Sequence, residues 1–108
     1  VNDPIDLVEP ADIASSDTNL ITLDTFAINT YRSAKYLVQA NTSDSYAVSE
    51  AVVTHNGSAS YITEYGGVYS NGNLYTLSTD ISGTNLRLRA TPARSGTTFT
   101  FKKIILAK

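Results

Sequence analysis

The stretch from Tyr31 to Tyr65 narrows the fold more than any other part of the chain. In Tyr31-Arg-Ser-Ala-Lys-Tyr-Leu-Val-Gln-Ala40, Ala34, Tyr36, Val38 and Ala40 fall on one side, and Ser33, Lys35, Leu37 and Gln39 on the other. This is the two-residue period of a strand with one buried face. A second run, Ser49-Glu-Ala-Val-Val-Thr-His, meets a third, Ser60-Tyr-Ile-Thr-Glu-Tyr65, across Asn56-Gly57. That dipeptide readily takes two consecutive positive φ values, so it predicts a tight hairpin. Three successive antiparallel strands follow from these residues alone.

The remainder keeps the same grammar. Strands are predicted at about 19–28, 31–41, 46–55, 59–66, 73–81, 85–91 and 97–106 from alternation bounded by turn residues. The separators are Asn41–Ser45, Asn56-Gly57, Ser70–Asn73, Ser82–Thr84 and Pro92–Gly96, which supply the Gly, Asn, Asp, Ser and Pro that turns use. Leu86, Leu88 and Ala90 oppose Arg87 and Arg89, while Phe99, Phe101 and Ile105 share a side that Lys103 interrupts. No helical period is present. An all-β, antiparallel sandwich of about seven strands is the expected architecture.

At 108 residues the chain has room for one core, and 42% hydrophobic against 17% charged residues places it among folding sequences. With no Cys there is no disulfide, thiol nucleophile or cysteine zinc site. No apolar run approaches the roughly 18 residues of a membrane helix, and no signal-peptide pattern opens the chain, so a soluble protein without membrane contact is expected. Val1 in first position fits an excised initiator Met and a processed precursor equally.

Charge is unevenly placed. Residues 1–18 hold Asp3, Asp6, Glu9, Asp12 and Asp17 without a base, whereas residues 19–108 carry eight Lys and Arg against five acids. With Pro4 and Pro10 and no long alternation, residues 1–18 read as an extended acidic arm ahead of a mildly basic domain, residues 19–108. Ile5, Leu7, Val8 and Ile13 give that arm apolar teeth suited to docking on a neighbouring subunit.

Few residues suggest chemistry. His55 is the sole histidine and flanks a turn, where a hydrogen-bonding role is expected; zinc or a triad needs convergent partners. Glu50 and Glu64 come near one another across the hairpin, and paired carboxylates serve glycoside hydrolysis. A small sandwich offers little concavity for a sugar, however, and Arg32 and Lys35 stand ready as ion-pair partners. Of seven tyrosines, Tyr36, Tyr46, Tyr61 and Tyr65 are expected to fill the interior or its edge, and Tyr65 and Tyr69 are the candidate ligand platform. Arg87, Arg89, Lys102 and Lys103, with Arg94 nearby, suggest a basic face too modest for nucleic acid. No phosphate loop, HExxH or GxSxG occurs, so no cofactor, metal or enzymatic activity is expected.

The segment from Phe26 to Phe101 resembles a small β-sandwich module of structural proteins of tailed bacteriophages, marine and cyanobacterial phages especially. Its bearers are Tyr31-Arg-Ser-Ala-Lys-Tyr36, Ser49-Glu-Ala-Val-Val53, His55-Asn-Gly57, Tyr61-Ile-Thr-Glu-Tyr65, Asp80-Ile-Ser-Gly83, Asn85-Leu-Arg-Leu88 and Thr91-Pro92. The resemblance implies a non-enzymatic virion component, assembled in the bacterial cytoplasm: a capsid decoration protein or a tail, neck or fibre part. It implies other virion proteins as partners and a homo-oligomer, with a trimer favoured by analogy. A carbohydrate- or receptor-binding adhesin module, recognising a host surface glycan, is the alternative.

Overall fold

The computed structural model describes residues 13–108. Eight strands follow in order: β1 (Ile13–Ser15), β2 (Ile21–Ala27), β3 (Tyr31–Asn41), β4 (Tyr46–His55), β5 (Ser60–Tyr69), β6 (Tyr75–Ser82), β7 (Asn85–Pro92) and β8 (Thr97–Ala107). They form a five-stranded sheet, β1-β8-β3-β4-β5, and a three-stranded sheet, β2-β7-β6, with every pairing antiparallel. The sandwich expected from alternation is the fold found, with one strand more.

The extra strand lies within the stretch read as an arm. Ile13 to Ser15 pair with Phe99 to Thr97, so these residues belong to the sheet, and Ser15 is buried. Three residues are too few to show a period, which is why alternation does not reveal them.

Two turns differ from expectation for backbone reasons. The β4–β5 connection is a four-residue loop, Asn56–Ala59, closed by the Asn56 N–H donating to the Ala59 carbonyl at 3.1 Å. Only Gly57 takes a positive φ, 99°, and no residue other than glycine does so in the described chain. Asn56 acts instead through its side chain: Oδ1 accepts from the N–H groups of Ser58 (3.0 Å) and Ala59 (2.8 Å). Such a side-chain-closed turn is a standard alternative use of Asn. On the far side, β5 runs three residues past its predicted end. Gly66-Gly67 resembles a terminator, yet the register shifts by one residue opposite Val48 to Glu50 and the strand resumes. Gly66, with φ of 67°, absorbs that bulge.

The inner faces are those that alternation assigns. Ala34, Tyr36, Val38 and Ala40 from β3 meet Leu86, Leu88 and Ala90 from β7, with Phe99 and Phe101 from β8 completing the layer. Tyr36 packs edge-on against Phe101, ring centres 5.8 Å apart, and Tyr75 likewise against Phe99 at 5.7 Å. Such aromatic pairs add to the free energy of area burial.

Two polar ties cross the core. A bulge in β2 between Thr22 and Asp24 lets Leu23 and Asp24 both face inward. Asp24 Oδ2 accepts from the Tyr36 hydroxyl at 2.7 Å and from Lys103 Nζ at 3.1 Å. Lys103, the interruption in an otherwise apolar side, is thereby neutralised by the opposite sheet. In the second tie, Tyr75 of β6 lies 2.5 Å from Ser49 Oγ, which is 2.7 Å from Glu64 Oε2. A hydroxyl has one proton to give and the carboxylate has none. Ser49 therefore donates to Glu64, and the Tyr75 proton is shared between Ser49 and the Val38 carbonyl, 3.2 Å away.

Candidate functional site

The register separates the two carboxylates. Glu64 pairs with Ala51 and so lies on the inner side, where it receives Ser49, whereas Glu50 pairs with Tyr65 and sits opposite Leu37 on the outer side. On the outer side Glu50 meets Lys35 at 3.3 Å, and the carboxylate raises the lysine pKa through its hydrogen bond and charge. Proximity in the pairing diagram thus places the two acids on opposite faces of one sheet. They cannot flank a common bond within one chain.

His55 is buried and both ring nitrogens serve the backbone. Nδ1 accepts from the Gly57 N–H at 3.0 Å, so Nε2, 2.8 Å from the Tyr31 carbonyl, must carry the proton. The ring is a neutral tautomer that ties the β4–β5 loop to the start of β3. Arg32 reaches the same place, donating from Nη1 to the His55 carbonyl at 3.0 Å. Among the described residues no group of three or more His, Asp or Glu is placed to hold a metal ion, and no helix is long and apolar enough to cross a membrane.

The four bases grouped in the sequence are distributed by the fold. Arg87 and Arg89 stand on the outer face of the three-stranded sheet around Asp80, with Arg87 forming a two-point pair to that carboxylate. This pairing holds Asp80 below the usual carboxylate range. Lys102 pairs with Leu37 on the outer face of the other sheet, and Lys103 points inward to Asp24. No single face contains all four. Arg94 instead stitches loops at one end of the sandwich, donating to Ser45 Oγ at 2.8 Å and to the Asn71 carbonyl at 2.9 Å.

The seven tyrosines divide into two buried, four exposed and the half-buried Tyr31. Tyr36 and Tyr75 are core residues; Tyr46, Tyr61, Tyr65 and Tyr69 are exposed, which corrects the interior placement expected of Tyr46, Tyr61 and Tyr65. Once Ala47, Ser49, Ala51 and Val53 are assigned inward, Tyr46 must point out, so alternation carried this signal too. Burial raises the pKa of both core tyrosines, with Asp24 adding to the effect on Tyr36; that of Tyr75 is pushed up to about 12.

An open groove of about 460 Å³ lies where β3 and β5 end and β4 begins. Tyr46 and Tyr69 flank it, Val48 and Val68 floor it, and Gln39, Asn41 and Ser70 offer polar groups. Tyr69 is held by a close approach: its ring lies over Gly67, where a Cβ would come within 2.2 Å of the phenol oxygen. Of the predicted platform, Tyr69 lines the groove, while Tyr65 stands further along the outer face. Ile13 occupies the edge strand, and Ile5, Leu7 and Val8 lie outside the described residues.

No protein-family model matches the chain, and no curated protein matches it by sequence. Among solved structures, the fold is similar to part of the Acinetobacter phage vB_ApiP_P1 tailspike protein. The TM-score is 0.57 at 18% identity, over 91% of this chain and 22% of that one. A second match is the tailspike protein of Acinetobacter baumannii phage AM24, with TM-score 0.34 and 12% identity over 89% and 21% of the two chains. The chain spans about a fifth of the length of either tailspike. At this identity the first likeness shows a shared sandwich fold.

Proposed function

We propose that this chain is a β-sandwich module of a phage tail component, a structural element that works through protein contacts. The supporting observation is the fold likeness to a tailspike segment over 91% of the chain, in agreement with the phage-module resemblance of the strand and turn motifs. Capsid decoration, the other location that the motifs imply, has no comparable support. No catalytic step is assigned, because Glu50 and Glu64 face opposite ways and His55 is committed to the backbone. Attachment through the acidic N-terminal stretch belongs to this proposal. Deleting residues 1–12 retains β1 and should leave a folded domain that no longer joins its particle.

The localising experiment is immunogold electron microscopy of the encoding phage with antibodies raised to this chain. Label on the tail is expected; label on the head shell, or none on purified particles, overturns the reading.

The groove favours a second reading, the glycan-binding adhesin. Two exposed tyrosine rings beside the Gln39 and Asn41 amides combine an apolar platform with hydrogen-bonding groups, the mixture a sugar presents in complement. A glycan array with the wild-type chain and Tyr69→Ala tests it. Saturable binding that the substitution abolishes is expected, and absence of binding across a broad panel refutes it.

A further inference from the structure

The two outer faces of the sandwich are dressed differently. On the three-stranded sheet the outward positions include Thr22, Thr25, Ser78, Asp80, Arg87 and Arg89, and no large apolar residue. That is the ordinary solvent face of an antiparallel sheet. On the five-stranded sheet the corresponding positions include Leu37, Val52, Tyr65, Val68, Ile104 and Leu106. Their exposures reach 66% at Val68, 59% at Leu106 and 48% at Leu37. The chain thus makes a water-adapted face on one side and leaves on the other a face where large apolar residues stand among Lys35, Glu50 and Lys102. Contiguous exposed apolar surface of this kind marks a contact site.

We propose that a second copy of this chain packs on the outer face of β8, β3, β4 and β5, sheet against sheet, a contact that covers Val48 and Val68 and so competes with the glycan reading of the groove. Area supports this occupant. Four strands about 4.8 Å apart and about ten residues long at 3.4 Å each present roughly 650 Å² per copy, or about 1,300 Å² in all. Specific interfaces begin near 1,200 Å² in total. Charge points the same way. Lys35 and Glu50, at the centre, neutralise one another within each copy at 3.3 Å, so two such faces meet without a like-charge clash there. Lys102, also on this face, lies in the row of Leu37, Glu50 and Tyr65, so a mate that sets β8 against β5 brings it to Tyr65 and not to another lysine. A two-fold axis parallel to the strands, between β3 and β4, sets the β8 rim with Ile104 and Leu106 against the tyrosine-bearing β5 rim of the second copy. Each copy then contributes the same patch, as an isologous dimer requires.

Sedimentation equilibrium of the full chain from about 1 to 200 µM, spanning the micromolar affinities open to interfaces of this size, tests the proposal. Wild type should fit a monomer–dimer equilibrium. Leu37→Lys and Val52→Glu should each weaken it at least about thirtyfold, the cost of removing a central contact residue. Val52→Glu sets its charge directly across from Lys35, and Leu37→Lys sets its own between Glu50 on one side and Lys102 on the other, one attraction offsetting one repulsion, so the fold is retained and circular dichroism should be unchanged. Ser78→Glu, on the other face, should leave the equilibrium as it is. A monomer at 200 µM, an assembly that both outer-face substitutions leave intact, or a ring of higher order overturns the proposal.

Discussion

Replacing Tyr36 by Phe isolates the tie between the two sheets. The ring is fully buried and Phe fills the same space, so the change removes one hydroxyl and its 2.7 Å bond to Asp24. A hydrogen bond to a charged acceptor contributes about 1.5–3 kcal/mol. Here Asp24 retains Lys103 at 3.1 Å, with 17% of its side chain exposed, which places the loss at the lower end, about 1.5 kcal/mol. With a urea slope of about 1.5 kcal/mol per molar, the unfolding midpoint should fall by about 1 M. The same variant alters the alkaline limb. In the unfolded chain tyrosine loses its proton near 10.0, while native Tyr36 and Tyr75 hold theirs to higher pH. Between those values the unfolded state binds fewer protons, so stability is present in full below pH 10 and falls as pH rises. Each tyrosine contributes a slope of about 1.4 kcal/mol per pH unit, and for Tyr75 the fall ends near its native value of about 12. Urea titrations followed by circular dichroism at pH 7, 10 and 11 separate the two effects. Tyr36→Phe should lose about half of the alkaline slope. An unmoved midpoint at pH 7, or an alkaline fall as steep as that of wild type, would refute the assigned role of the tie.

Two further substitutions probe the loops and the groove. His55→Leu leaves the Tyr31 carbonyl and the Gly57 N–H without their partners, at a cost of about 2 kcal/mol, and should accelerate exchange of the Gly57 amide; unchanged exchange would mean the ring does not hold the loop. Gly67→Ala places a Cβ where the Tyr69 ring lies, so the ring must turn away while the domain stays folded. The Tyr69 ring protons should shift in NMR spectra, and constancy of those shifts would show that the ring lies elsewhere.

The inner faces, the all-strand character of the described residues and most strand limits were legible because a two-residue period is a local property. Ala34, Tyr36, Val38 and Ala40 declare their side within four alternations, and their burial follows. The turns were legible in position but not in type. Whether Asn56 uses its backbone or its side chain depends on His55 Nδ1 receiving the next N–H, a contact invisible in a run of letters. Gly66-Gly67 reads as an end, because only the neighbouring strand reveals that one glycine is a bulge.

For the candidate site the division is sharper. Residue types alone named Glu50, Glu64, His55 and the tyrosines, and spacing brought Glu50 near Glu64 across the hairpin, whereas the register sets Glu50 directly against Tyr65. Sequence by itself therefore determined the antiparallel sandwich and the layers that face inward. Tertiary structure decided that the two acids occupy opposite faces, that four bases disperse, and that Tyr46 and Tyr69 converge on one groove. The reason is physical: a pleat sets the side of each residue from its own neighbours, whereas which sides meet depends on register and on sheet order, and these are settled by pairing between distant parts of the chain.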